Sequence, residues 1–292
     1  AGIGIGQWLL HQHSPSNLTG DALAAAQTAG MADAFRLSAI LGIVMGVYCL
    51  TLPATPPSRE KSNAAFKAIG AVRRQPLLTL FAIAVPMSCV HQFYFVHTAG
   101  FLGQYQSKAQ GAVEWINSIF GVGGGGLMTV GQMSEIVVIL AVPLLARAFS
   151  RKGLLLVGIA AYALRMAIFA YAEKFLGPDS SSILPVLILG VALHGLCFGC
   201  FIFVSFLVFE DNTAPDMRAS AQSLFGLVVC GIGIIVGSVV AGWGAGEATI
   251  ATVPTTKFDY TVLFGYPMWG AVVCFALLAI FYPSKSRQAL AS

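Results

Sequence analysis

The chain has 292 residues, of which 57% are apolar and only 10% are charged, and its formal net charge is +4. Soluble domains are about one quarter charged, so this composition excludes an ordinary soluble protein. Positive charges occur in short clusters between apolar runs, which excludes a basic surface for nucleic acid and is typical of a membrane topology signal.

Seven apolar runs are long enough to form helices that cross a bilayer, because about 20 apolar residues span its hydrocarbon core. They are residues 37–53, 77–99, 128–148, 153–172, 183–209, 219–243 and 260–282. Residues 1–10 are interpreted as the last part of an earlier helix. The sequence therefore predicts an all-α fold, a polytopic transmembrane helix bundle with seven spanning helices.

The connections between these runs alternate in basic charge. Those rich in Lys and Arg are 54–76, 147–152 and the tail that contains Lys285 and Arg287, and those with a single Lys are 100–127, 173–182 and 244–259. Because Lys and Arg are retained on the cytoplasmic side, we expect the basic connections and the C-terminus to be cytoplasmic. The connection 210–218, which has three acidic residues and Arg218, is a weak exception.

The cysteines and the glycine-rich stretch 226–246 are interpreted as packing elements. All six cysteines lie inside apolar runs, and Cys197 and Cys200 are expected to be buried small residues rather than a redox or metal site. Gly233 and Gly237 form a G-x-x-x-G pattern that lets helix backbones approach closely. Packing within the chain is the preferred interpretation, and homodimerisation is the alternative.

Gln132 and Glu135 are the most prominent polar residues inside the apolar runs, where ionisable groups are costly and rare. They stand three apart and share one helix face. An amide beside a carboxylate suits one polar ligand, and a carboxylate in a low-dielectric setting can take up a proton. Glu135 is thus a candidate for both substrate binding and proton coupling. The alternative is a structural ion pair, for example with Arg165 on the following helix.

Three intramembrane histidines accompany this pair. His91 and Gln92 adjoin Tyr94, a combination that suits a flat ligand, although hydrogen bonds between helices are the alternative. For His97, near a helix end, a structural role is preferred. For His194 we leave open packing against a neighbouring backbone and a functional role. The sequence has no catalytic or metal-binding motif, so we expect no enzymatic activity, no cofactor and no metal.

Four stretches carry a resemblance whose specificity lies in their order and spacing. They are L-P-A-T-P-P at 52–57, G-Q-M-S-E at 131–135 followed by P-L-L-A-R and R-K-G, A-L-R-M at 163–166 followed by L-H-G-L-C-F at 193–198, and A-P-D-M-R-A-S-A-Q-S-L at 214–224. Together with H-Q-F-Y-F at 91–95, they resemble the nucleoside:proton symporters of the major facilitator superfamily.

The resemblance implies a twelve-helix carrier in two six-helix halves. Residues 1–53 would then be the end of the N-terminal bundle, with partial fifth and sixth helices. Residues 54–76 would be the cytoplasmic linker, and residues 77–292 the C-terminal six-helix bundle. Helices one to four of the same polypeptide would lie outside this chain and would be its partner in forming the cavity.

The resemblance also implies a binding site in the central cavity. The Gln and Glu of G-Q-x-x-E, here Gln132 and Glu135, would bind the nucleoside, and Gln92 is the best placed polar residue on the seventh helix. The match departs where many relatives have Tyr-Asp and this chain has Phe198 and Gly199. A carboxylate expected near the ligand is therefore absent.

The resulting hypothesis is a secondary active transporter that imports nucleosides with protons by alternating access, in a bacterial-type inner membrane. Glu135 would bind the ribose or carry the proton, and Tyr94 or Phe198 would stack on the base. The predicted site is completed by His91, His194 and Arg165. One alternative is a facilitator for another solute, such as a sugar or a drug-like compound. A membrane-embedded enzyme or sensor is a second alternative.

Overall fold

A computed structural model describes residues 20–53, 69–120, 123–251 and 257–284. The predicted helix remnant at 1–10, most of the 54–76 linker and the basic residues of the tail lie outside the described residues.

Helices make up almost all of the described structure. In chain order they are α1 (Gly20–Leu50), α2 (Leu77–Gln104), a single 3₁₀ turn (Gln106–Lys108), α3 (Ala112–Phe120), α4 (Gly124–Ala148), α5 (Arg151–Leu176), α6 (Ile183–Asn212), α7 (Arg218–Ala248) and α8 (Tyr260–Phe281). Between α7 and α8 the strands β1 (Thr249–Ala251) and β2 (Lys257–Phe258) pair antiparallel. The predicted all-α helix bundle is confirmed.

Six of the described helices, α2 and α4–α8, are long and apolar enough to cross a membrane. They correspond to six of the seven predicted spans. The remaining prediction, 37–53, falls in α1, whose apolar segment Phe35–Leu50 is shorter than a full span. Most of its side chains are exposed, for example Phe35 at 77% and Leu50 at 85%.

The six helices pack around one continuous apolar core. Helix α8 lies against α5 and α2, α7 packs along α2, and α4 lies between α2 and α6. Aromatic rings fill the interior where α2, α5 and α8 meet: Phe264 has its ring centroid 5.1 Å from that of Phe101 and 5.3 Å from that of Phe169. Such tilted aromatic pairs stabilise a core beyond their buried area.

The predicted glycine seam lies inside the chain, between α7 and α2. A Cβ added at Gly233 would lie 2.4 Å from Cβ of Ser88, and one at Gly237 would lie 2.8 Å from Cβ of Gln92. The backbones approach so closely because neither glycine has a side chain. The Ser88 hydroxyl then donates across the seam to the carbonyl of Val229 at 3.0 Å.

Two long helices are not α-helical throughout. Helix α6 contains a π-helical segment at Cys197–Phe203, and α7 contains one at Leu227–Ile232. Such segments hold an extra residue in a turn and occur frequently at functional sites. Cys197 and Cys200 are free and buried within the first of them, in keeping with their interpretation as packing residues.

Lys152 joins the start of α5 to the end of α8. Its ammonium group donates to the carbonyl oxygens of Ala279 and Tyr282, at 2.8 and 2.7 Å, and lies 3.4 Å from the hydroxyl of Ser284. The last carbonyls of a helix have no partner within the helix, and a cation there also complements the helix dipole. Lys152 therefore caps α8 from a different helix.

We expect Lys152→Met to lower the stability of the bundle. The substitution keeps an aliphatic stem but leaves the α8 carbonyls without a charged donor, which costs about 1.5 kcal/mol or more. A thermal melt of the detergent-solubilised protein should show a midpoint several degrees lower. Lys174→Met, at the exposed far end of the same helix, is the matched control. Equal melting midpoints for the two variants would contradict the capping role.

Candidate functional site

Helices α4 and α6 are in close contact at the level of the predicted site. The backbone N–H of Gly195 donates to the hydroxyl of Ser134 at 3.0 Å, and a Cβ at Gly195 would lie 2.4 Å from the Ser134 carbonyl oxygen. The hydroxyl of Ser134 in turn donates to the carbonyl of Gly131 at 2.7 Å. This contact sets His194, the residue before Gly195, against the G-Q-M-S-E segment of α4.

His194 contacts three of the predicted site residues at once. Its Nδ1 lies 3.0 Å from Nη1 of Arg165 on α5. Its Nε2 lies 3.4 Å from Oε2 of Glu135 and 3.5 Å from the amide nitrogen of Gln132, both on α4. The predicted pair on α4 is therefore joined to the buried arginine through the imidazole ring. The described part of the chain has no direct ion pair between Arg165 and Glu135.

Arg165 is fully buried beneath the site, with 0% of its surface exposed. Its guanidinium carbon lies 4.0 Å from the ring centroid of Tyr94 and 5.1 Å from that of Tyr162. Aromatic faces attract such a cation more strongly when water is excluded. The Nε and Nη2 atoms of Arg165 have no hydrogen-bond partner among the described residues, so His194 is the one hydrogen-bond partner described for this guanidinium.

Accessibility increases from the arginine outward. Arg165 and His194 are buried, whereas 19% of the Glu135 side chain is exposed. Gln132 and His91 are also half-buried. The cluster thus has a buried cation at its base and a carboxylate at its accessible edge, an arrangement that suits a polar ligand approaching α4.

His91 belongs to this cluster, and Tyr162 joins it as a residue that the sequence analysis missed. The hydroxyl of Tyr162 lies 2.6 Å from Nδ1 of His91, and the rings of His91 and His194 have centroids 5.5 Å apart. Tyr162 stands three residues before Arg165, so the two share one face of α5. That spacing is the signal that would have identified it.

Gln92 faces α7, whereas the preceding residue His91 faces α5 and α6. The amide nitrogen of Gln92 donates to the hydroxyl of Ser238 at 3.0 Å, while that hydroxyl donates to the carbonyl of Ile234 at 2.8 Å. Because the Ser238 hydroxyl hydrogen is donated to Ile234, the hydroxyl oxygen can only accept from Gln92. The group of Gln92 that faces Ser238 must therefore be its amide nitrogen. The described residues show no hydrogen bond between Gln92 and either His194 or Glu135.

The aromatic candidates differ in accessibility. Tyr94 is fully buried, and its ring is stacked on that of His194 with centroids 5.0 Å apart and an interplanar angle of 17°. Phe198, one turn after His194, is half-buried. Phe95 is 39% exposed and meets His194 edge-on, with centroids 5.8 Å apart. Tyr94 therefore lies behind the imidazole, while Phe95 and Phe198 have accessible ring surface.

His97 lies away from the cluster. Its Nε2 is 3.0 Å from the carbonyl oxygen of Ala241 on α7, which agrees with the structural role preferred for it. The described residues contain no group of three or more His, Cys, Asp or Glu side chains that could hold a metal ion. The site geometry is thus that of a polar cluster between membrane helices.

A bundle of spanning helices around a buried polar cluster is the architecture of a polytopic membrane carrier. The family model described as "Nucleoside H+ symporter" matches residues 18–287. The chain belongs to that family, and the relatives it matches are permeases and transporters rather than enzymes.

Two curated relatives from Escherichia coli strain K12 illustrate the similarity. The chain is 26% identical to the xanthosine permease over 239 residues, which are 80% of this chain and 55% of the relative. It is 24% identical to the nucleoside permease NupG over 251 residues, which are 84% of this chain and 57% of the relative. The chain thus spans a little over half the length of these curated relatives.

The fold is also that of a solved structure. A crystal structure of the nucleoside transporter NupG superimposes with a TM-score of 0.64 at 21% identity, covering 94% of this chain and 63% of the other. The predicted major facilitator type of helix bundle agrees with this likeness.

Proposed function

We propose that the protein takes part in importing nucleosides together with protons, as a secondary transporter that works by alternating access. The observation that carries the proposal is the contact of Glu135 and Gln132 with His194 at the accessible edge of a buried polar cluster. Membership of the nucleoside H+ symporter family supports it. The xanthosine and nucleoside permeases among the relatives suggest that the solute is a nucleoside.

In the proposed site, Glu135 binds the ribose hydroxyls or carries the coupled proton. The amide of Gln132 hydrogen-bonds the ligand beside it. Phe198 supplies accessible ring surface on which a base can stack, whereas the burial of Tyr94 favours a supporting role for that residue. Gln92 is proposed as a further ligand contact: its nitrogen donates to Ser238, which leaves its carbonyl oxygen as the acceptor for an N–H group of the base.

The same proposal includes an orientation in the membrane and a division of the chain. Residues 77–292 form the C-terminal bundle of the carrier, residues 54–76 the cytoplasmic linker, and residues 1–53 the end of the N-terminal bundle. The membrane is the bacterial inner membrane, with the C-terminus in the cytoplasm. Arg147 and Arg151 are described where one spanning helix ends and the next begins, which is consistent with that orientation.

The test is uptake of radiolabelled uridine and xanthosine into vesicles containing the full-length carrier chain. We expect accumulation above the external concentration when the outside is acidic, and only equilibration when the gradient is dissipated with an ionophore. Vesicles without the protein are the control. Accumulation of a sugar or another solute, with neither nucleoside taken up, would overturn the proposal.

A further inference from the structure

The imidazole of His194 lies between a permanent cation and the two residues proposed to bind the ligand. One ring nitrogen, Nδ1, faces Nη1 of Arg165 at 3.0 Å. The other nitrogen, Nε2, faces Oε2 of Glu135 at 3.4 Å and the Gln132 amide at 3.5 Å. The ring is 1% exposed and is stacked on Tyr94, so it has little freedom to turn over.

The guanidinium determines which nitrogen of His194 has the hydrogen. A guanidinium has donors only and is never deprotonated in proteins, so Nδ1 must accept from Arg165. A neutral imidazole then has its single hydrogen on Nε2. Protonating Nδ1 would break the bond to Arg165 and would place two cations in contact within a buried site. The hydrogen on Nε2 is therefore directed at the Glu135 carboxylate, because the amide nitrogen of Gln132 is itself a donor and cannot accept it.

We infer that His194 is a positioning residue, whose Nε2–H, fixed by Arg165, orders the Glu135 carboxylate for ligand and proton binding. This inference rests on the proposed function of Glu135. His194 does not itself carry the coupled proton. It remains neutral through the cycle and always offers the same donor to the same side of the site.

The fixed donor has a consequence for the Glu135 carboxyl group. When Glu135 is ionised, Oε2 accepts from Nε2–H. Protonation of Glu135 transfers a proton from water in the cavity to a carboxylate oxygen, where a new O–H bond forms. The charge of Glu135 changes from −1 to 0, and the water that donated the proton loses one O–H bond. The carbonyl oxygen of a carboxylic acid is a better acceptor than its hydroxyl oxygen, so the oxygen facing Nε2–H is favoured as the carbonyl oxygen. We therefore expect the proton on the other oxygen, Oε1, and expect it to leave from there.

The other titratable groups around the cluster define what else can respond to pH. Those that face His194 and Glu135 among the described residues are His91 and Tyr94 from α2, Tyr162 and Arg165 from α5, and Cys197 from α6 itself. Among them, His91 is the other imidazole and is held by the Tyr162 hydroxyl. The test must therefore separate His194 from His91.

The first measurement is ¹⁵N NMR of the histidine-labelled full-length carrier in detergent, which reports the tautomer and charge of each ring. Assignment comes from loss of the corresponding signals in the His194→Gln and His91→Gln variants. We expect His194 to keep the neutral Nε2–H pattern from about pH 5 to pH 8, across which an ordinary histidine titrates. A His194 ring that titrates in this range, or that has its hydrogen on Nδ1, would overturn the inference.

The second measurement compares uridine binding and pH-driven uptake in three variants. His194→Phe keeps a ring but has no donor, and His194→Gln restores an N–H near the position of Nε2. His97→Phe makes the same change in a histidine that does not touch the cluster. We expect about tenfold weaker binding in His194→Phe, because a hydrogen bond to a charged group is lost, together with a shifted pH midpoint of uptake. His194→Gln should recover most of both, and His97→Phe should show neither change.

The outcomes distinguish the inference from the function on which it rests. If the unsubstituted carrier does not accumulate nucleosides, the proposed function fails, while the NMR result still decides the state of His194. If it does accumulate them and His194→Phe has the affinity and pH midpoint of the unsubstituted carrier, the positioning role fails. If His194→Phe does not fold, the NMR pattern and the His194→Gln variant decide the question. An equal loss in His194→Phe and His97→Phe would also count against it.

Discussion

Replacing Glu135 with glutamine should abolish the pH-driven accumulation of nucleoside while leaving the protein folded. Glutamine has nearly the same size and still accepts a hydrogen bond from Nε2 of His194, which lies 3.4 Å from the carboxylate in the unsubstituted protein. It cannot take up or release a proton, and it lacks the charge that strengthens a hydrogen bond to a ribose hydroxyl. We expect binding to weaken by about tenfold or more and uptake to become insensitive to the pH gradient.

The measurement is radiolabelled uridine uptake with an acid-outside gradient and with none, normalised to the amount of protein in the membrane. Glu247→Gln is the matched control, because this carboxylate is exposed beyond the membrane-spanning core at the end of α7. Gradient-driven accumulation that survives in Glu135→Gln would show that another group carries the proton. His91, in the same cluster, would be the next residue to test.

Gly195→Ala should destabilise the protein and disable the site, although it adds a single methyl group. The added Cβ would lie 2.4 Å from the carbonyl oxygen of Ser134 and 2.8 Å from the backbone N of Glu135. These are backbone atoms of α4, so no side chain can turn aside, and the two helices must separate. Overpacking of this kind costs about 1–3 kcal/mol, and the displaced helix would move His194 away from Glu135.

A thermal melt in detergent and a uridine binding measurement together test this prediction. We expect a melting midpoint several degrees lower and binding reduced by at least about tenfold. The control is Gly242→Ala on α7, where an added Cβ has no neighbour within 4 Å and where alanine favours the helix. If Gly195→Ala melts like Gly242→Ala, the close approach of α4 and α6 is not rigid.

The membrane helices and part of the site were predictable from the sequence because they depend on local patterns. Apolar length identified the six spans, and a separation of three residues placed Gln132 and Glu135 on one helix face. The same reasoning applies to Tyr162 and Arg165, which share a face of α5 and both reach the cluster. These features follow from the period of the helix alone.

The contacts between helices were less predictable, because they depend on how each helix is rotated about its axis. Arg165 and Glu135 were natural candidates for an ion pair, yet His194 lies between them. His91 and Gln92 are adjacent in the sequence, yet His91 contacts α5 and α6 whereas Gln92 contacts α7. Helix rotation is set by close contacts such as those at Gly195 and Gly237, and no single-helix pattern reports it.

The π-helical segment of α6 affects how accessibility along this helix will be measured. An α-helix turns by about 100° per residue, and a π turn accommodates one residue more than an α turn. Residues before Cys197 and after Phe203 are therefore out of phase with a single 3.6-residue count. In a cysteine-labelling scan of α6, the labelling rate should follow two helical periodicities that are offset from each other. A single 3.6-residue periodicity fitted to the whole helix would assign the residues at one end to the wrong face.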